Sequence, residues 1–114
     1  MKEIDLYRIE TILEHIDTIL NDTKGISKEK FENSDLLLRA TCFSLIQVGE
    51  MMTHLEKLIG KEFPNLPWRD AKGMRNFIVH DYGNISVKSI YNTIANDLPV
   101  LKEELLKIKE QYIE

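Results

Sequence analysis

Apolar residues recur at steps of three and four along nearly the whole chain, and strand-like alternation is almost absent. Ile9, Ile12, Leu13, Ile16, Ile19 and Leu20 predict one amphipathic helix over about residues 3–22. The stretch Asn21 to Gly25 stops it, and Ser27 or Asn33 can cap the next helix. A second helix is expected over about residues 32–59. One of its stripes reads Leu38, Cys42, Leu45, Gly49, Met52, Leu55 and Ile59, and a second set, Leu36, Phe43, Ile46 and Met51, points elsewhere. A helix that is apolar on more than one face needs two things to pack against: the domain's own core and, on this pattern, a second copy of the chain; the alternative is a central helix surrounded by its own neighbours. Gly49 in a helix interior costs about 1 kcal/mol against Ala, which predicts a close approach of another backbone there.

Gly60 and the run Phe63-Pro64-Asn65-Leu66-Pro67 make a turn. Pro67 suits a helix start, where its missing N–H is not needed, so a third helix runs from Trp68 towards His80 and Gly83-Asn84 closes the segment. Ser86 is the expected cap of the last stretch, with apolar positions at Val87, Ile90, Tyr91, Ile94, Leu98, Leu101, Leu105, Ile108 and Tyr112. Pro99 removes a helical hydrogen bond, so this stretch is expected to divide in two, with Asp97 capping the second part. The fold expected is all-α, a compact bundle of four to five helices forming one domain over residues 1–114 and assembling as a homodimer.

Composition narrows the function. The 114 residues are 43% hydrophobic and 30% charged, as in an ordinary globular domain. Fifteen basic and 19 acidic residues leave a net charge of −4, which argues against a protein that coats nucleic acid non-specifically. Any chemistry on RNA or DNA must come from a local site. One cysteine, Cys42, excludes an intramolecular disulfide and fits a reducing compartment. The N-terminus lacks an apolar stretch behind a basic start, and no run is long enough to span a membrane. A cytoplasmic location is expected.

The residues that do not reduce to bundle packing lie in Gly73-Met74-Arg75-Asn76-Phe77-Ile78-Val79-His80-Asp81-Tyr82-Gly83. Arginine offers a fixed fork of donors that matches a phosphate. Histidine, with an ordinary pKa near 6.5, can take and return a proton at neutral pH. Together they are the minimum equipment for cutting RNA without a metal: a base takes the proton of the ribose 2′-hydroxyl, and a cation stabilises the charge that builds on the attacked phosphate. At about 100° per residue, Arg75 and His80 would stand about 140° apart on an ideal helix. Either the helix distorts or ends near His80, or a second protomer completes the cleft. The plainer alternative is that Arg75 pairs with a carboxylate and His80 merely ends a helix.

The string Arg75-x4-His80-x-Tyr82, with Asn76 after the arginine, resembles the signature of the HEPN superfamily. The resemblance narrows to the HepT-like branch through Cys42 to Glu50, through Pro64-Asn65-Leu66-Pro67-Trp68, through Gly73 to Tyr82, and through Ile94-x-x-Asp97-Leu98-Pro99. It implies a small all-helical homodimer, the toxin of a type VII-like toxin–antitoxin pair, that cuts RNA without a metal or other cofactor in a cleft shared by two copies of the motif. It also implies a partner, a minimal MntA-like nucleotidyltransferase antitoxin, that transfers AMP to the motif tyrosine. Carried over by position, Arg75 would bind or stabilise the scissile phosphate and His80 would be the acid/base group. Asn76 would orient the cleft or the substrate, and Tyr82 would be the site of adenylylation. An adenylyl group there adds negative charge and bulk where an RNA phosphate should enter.

The remaining candidates are weaker. Glu50 and His54 stand four apart on a helix, but two ligands do not make a metal site. Glu50 is better read as the partner of a buried cation, with Arg75 a candidate. His15 is read as a surface residue, Cys42 as a small buried hydrophobe, and Trp68 as a packing anchor rather than a base-stacking platform. Lys61, Arg69, Lys72 and Arg75 gather near the motif against only Glu62 and Asp70. No Gly-rich phosphate loop is present. Two other readings stand beside the nuclease: a non-catalytic subunit that presents RNA or another substrate to the nucleotidyltransferase, and a plain helical dimerisation domain.

Overall fold

Two serines seven residues apart divide the first half of the chain. Ser27 Oγ accepts from the Lys30 N–H, and Ser34 Oγ accepts from the Leu37 N–H, so each starts a helix by satisfying a donor that has no intrahelical partner. The computed structural model describes residues 3–111. Helix α1 spans Glu3–Thr23, α2 Lys28–Glu32, α3 Asp35–Ile59 and α4 Trp68–Asp81. A 3₁₀ turn at Tyr82–Asn84 leads to α5 (Val87–Asn92), a π turn (Thr93–Asp97) and α6 (Leu98–Gln111). The helix expected from about residue 32 therefore begins at Asp35, and Asn33 ends α2 rather than capping α3.

Helix α2 was not legible as a separate element. It is too short to show a periodicity, and its one apolar residue, Phe31, is fully buried. The Phe31 ring lies 5.7 Å from that of Tyr91, whose hydroxyl donates to the Ile26 carbonyl at 3.3 Å. These contacts pin α2 to α5.

Helix α3 is central, with α1 on one side and α4 on the other. Ile9, Ile12, Ile16 and Ile19 of α1 meet Leu45, Met52 and Leu55 of α3 in a single core, which Leu101, Leu105 and Ile108 of α6 close. Lys102 pairs with Asp17 at 2.7 Å and Lys109 with Glu10 at 3.5 Å, tying the rim of α6 to α1. The second set on α3 splits: Ile46 and Met51 pack against the core, whereas Leu36 and Phe43 stay exposed. Tyr112 lies outside the described residues.

The break expected at Pro99 is not there. Asp97 is inside a helical run rather than capping one, because the Leu98 N–H donates to the Thr93 carbonyl five residues back. That wider turn shifts the hydrogen-bond register just before Pro99, which sits in the first turn of α6, where a missing N–H is tolerated. Residues 87–111 form one continuous rod, so the bundle has five helical rods among the described residues. The all-α expectation holds.

Candidate active site

Helix α4 starts where Pro67 and Trp68 fix it. Trp68 is buried, and its indole Nε1–H donates to the Phe63 carbonyl at 2.9 Å, holding the turn that delivers the helix. Trp68 is thus the packing anchor expected. Ile78 faces the core further along.

Gly49 lets α4 come close. A Cβ built at Gly49 would lie 2.4 Å from Arg75 Cβ and 2.9 Å from the Ala71 carbonyl oxygen, distances no real Cβ tolerates. The close backbone approach expected at Gly49 is therefore that of α4 within the same chain. It places the stem of Arg75 directly over α3, next to Glu50.

Arg75 Nε–H donates to Glu50 Oε1, and Arg75 Nη1–H donates to Asn76 Oδ1 at 2.7 Å. The side chains of Arg75 and Glu50 are 30% and 39% exposed, so the pair is open to solvent on one side. The guanidinium is held by two side chains, and its Nη2 donors remain to meet an anion. Glu50 is engaged with this cation and His54 is exposed. Among the described residues no three His, Cys, Asp or Glu side chains gather as metal ligands would.

His80 is exposed near the end of α4. The helix ends at Asp81, one residue past His80 as expected, and is regular from Arg75 to His80. The two side chains leave the axis about 140° apart, Arg75 towards α3 and His80 towards solvent. Tyr82 lies in the adjoining 3₁₀ turn and is 37% exposed. Burial pushes its phenol above the ordinary value; the charges of Cys42 and Asp35 push the same way, and that of Arg39 opposes them. Those residues belong to the first turns of α3, where Arg39 and Asp35 form an exposed ion pair at 2.9 Å. Sequence spacing gave no hint of this neighbourhood, because the contact is between helices.

Cys42 is buried, and desolvation pushes its thiol up to about 11. It is a core residue and a poor nucleophile. Arg69 and Lys72 are exposed on α4, and Lys61 in the turn before it.

The sequence profile of the family described as "Ribonuclease HepT-like" matches residues 9–108. The chain belongs to this family. A protein of Caldanaerobacter subterraneus subsp. tengcongensis named "Putative RNase" is 30% identical to it over 103 residues, 90% of this chain and 92% of that protein. A Methanocaldococcus jannaschii protein of the same name is 31% identical over 97 residues, 85% of this chain and 80% of that one. "Probable ribonuclease HepT" of Thermococcus cleftensis is 30% identical over 106 residues, covering 90% and 93% respectively. No solved structure matches the chain significantly. The family assignment agrees with the resemblance read from Arg75, Asn76, His80 and Tyr82. No described helix is long and apolar enough to cross a membrane.

Proposed function

We propose that this HepT-like chain is a metal-independent endoribonuclease, the toxin of a type VII-like toxin–antitoxin pair. The observation that carries this reading is the Arg75 guanidinium, held by Glu50 and Asn76 with its Nη2 donors open, on the same helix as an exposed His80. In the reaction, His80 takes the proton of a ribose 2′-hydroxyl. The 2′-oxygen forms a bond to the adjacent phosphorus and the bond to the 5′-oxygen breaks, with Arg75 stabilising the charge on the phosphoryl oxygens. The proton passes to the leaving 5′-oxygen. The products are a 2′,3′-cyclic phosphate and a free 5′-hydroxyl.

The same reading calls for two copies of the chain. Arg75 and His80 diverge by about 140° on a regular helix, so one chain presents them to different sides. Leu36 and Phe43, seven residues apart on α3, are 71% and 63% exposed, as on a helix face that a partner covers. A two-fold dimer on this face would bring two motifs to a shared cleft.

Tyr82 is the proposed control point. Tyr82 is 37% exposed, and attack of its phenol oxygen on the α-phosphorus of ATP, with the phenol proton and pyrophosphate leaving, would put an AMP group beside the motif. An MntA-like nucleotidyltransferase is the proposed donor enzyme and antitoxin. The added phosphate would repel the RNA backbone.

The test is RNA cleavage in EDTA by protein shown by mass spectrometry to carry no AMP, beside a folded His80→Ala variant. Cleavage by the unmodified protein alone supports the proposal. No cleavage by either moves the function to an RNA- or substrate-binding subunit of the nucleotidyltransferase.

A further inference from the structure

The exposed face of α4 carries more than His80. At about 100° per residue, Arg69, Gly73 and His80 fall within about 40° of one another, and Phe77 stands one turn before His80 and about 60° away. All four are exposed. A Cβ at Gly73 would meet nothing within 4 Å, so the space over the middle of this face is open. Beside it lies a cleft of about 620 Å³, with Arg69, Gly73 and Phe77 on the α4 wall and Asn84, Ser89 and Asp97 across from them. That volume is in the usual range of small-molecule sites.

The walls have a definite chemistry. Phe77 is 43% exposed and offers its ring to the cleft, as a platform for a flat heterocycle. Asn84 Nδ2 donates one N–H to Asp81 Oδ1 at 2.8 Å, which fixes the amide and leaves its carbonyl oxygen as an acceptor beside one remaining N–H. The carboxylate of Asp97 only accepts, as does that of Asp70 on the same rim. On an otherwise largely apolar lining, the acceptors of Asn84, Asp97 and Asp70 suit a base edge with adjacent N–H donors. Guanine has them at N1 and N2, whereas uracil offers one N–H between two carbonyls. Arg69 is exposed on the rim of the cleft, where a guanidinium can meet a phosphate.

We infer that this cleft is a nucleobase subsite that takes guanine in preference to uracil. Its α4 wall shares the exposed side of the helix with His80, which assigns it to a nucleotide flanking the scissile phosphate, and that assignment rests on the ribonuclease reading. The base stacks on Phe77, its donor edge meets Asn84 and Asp97, and its phosphate lies towards Arg69.

Binding can be tested apart from cleavage. The full chain is titrated with guanosine 5′-monophosphate and uridine 5′-monophosphate, following backbone amides by NMR. The expected result is shifts at Gly73, Phe77, Asn84 and Ser89 with the guanine nucleotide and weaker shifts with uridine. Phe77→Ala should weaken binding about tenfold, and Phe77→Trp should retain it. Both residues changed in the variants are exposed, and Ser89→Leu, which fills the cleft from the opposite wall, should also abolish the shifts. Shifts elsewhere, equal binding of the two nucleotides, or Phe77→Ala binding like wild type would overturn the inference. In a parallel assay in EDTA, Phe77→Ala should raise KM on a guanosine-flanked oligoribonucleotide with kcat little changed. Guanine binding at Phe77 in a protein that cuts no RNA would keep the base site and remove its tie to cleavage. Cleavage with an unchanged KM in Phe77→Ala would do the reverse.

Discussion

Arg75 Nε–H donates to Glu50 Oε1, and this one bond ties the middle of α4 to the middle of α3 at the point where Gly49 lets the two helices touch. The pair is part-exposed, so its value to stability is small, at most about 1 kcal/mol. Its value is in aim. Held by Glu50 on one edge and Asn76 on the other, the guanidinium cannot follow the many rotamers of a free arginine.

Glu50→Gln separates these two effects. The variant should lose less than about 1 kcal/mol in urea unfolding. In the RNA cleavage assay its kcat should fall about 10- to 100-fold with KM little changed, because a small misplacement of a positioned group is costly. A loss of stability that accounts for the loss of activity would make Glu50 a structural residue only.

Gly49→Ala reverses the usual sign of a helix-interior glycine replacement. On propensity alone it would gain up to about 1 kcal/mol. Here the new methyl overlaps Arg75 Cβ and crowds the Ala71 carbonyl, so α4 must move. A net loss of about 1–3 kcal/mol is expected from chemical denaturation, together with lowered cleavage. Unchanged stability would mean that the helices are less tightly apposed.

Cys42 gives a pH dependence with a definite sign. Its thiol is raised from an ordinary 9.0 to about 11 in the folded chain, so the native state favours the protonated form. That contribution is fully present below pH 9 and is lost as pH rises towards 11. Between those limits the unfolding free energy of wild type should fall relative to Cys42→Ala by on the order of 2 kcal/mol. Parallel pH profiles for the two proteins would contradict this.

Tyr82 can be titrated by its ultraviolet difference spectrum against Tyr82→Phe. Its ionisation should lie above the ordinary tyrosine value, because burial and the negative charges at Cys42 and Asp35 outweigh Arg39. Arg39→Ala should raise it further, and Asp35→Asn should lower it. No response to either change would place the phenol away from the start of α3.

Much of this was legible in the sequence, for reasons that differ by element. The long helices α1 and α3 carry enough apolar residues for their period to be counted, and the Arg75, Asn76, His80 and Tyr82 spacing pointed to the family. The Glu50–Arg75 pair could be read from a carboxylate and a cation on neighbouring helices. Helix α2 is too short for any period, and Phe31 is a single apolar residue whose burial depends on Tyr91, about sixty residues away in sequence. The π turn before Pro99 was not legible because a one-residue change of register leaves no mark in composition. The Phe77 cleft depends on how α5 lies against α4, which spacing within α4 does not encode.

In the proposed function, Arg75 of one copy acts with His80 of another on RNA without a metal. The most direct measurement mixes Arg75→Ala and His80→Ala proteins, allows subunits to exchange, and assays RNA cleavage in EDTA. Each variant alone should be inactive. Random exchange makes half of the dimers mixed, each with one intact site of two, so the mixture should recover about a quarter of wild-type activity. A mixture as inactive as its parts, from proteins shown to exchange subunits, would contradict a site built from two chains.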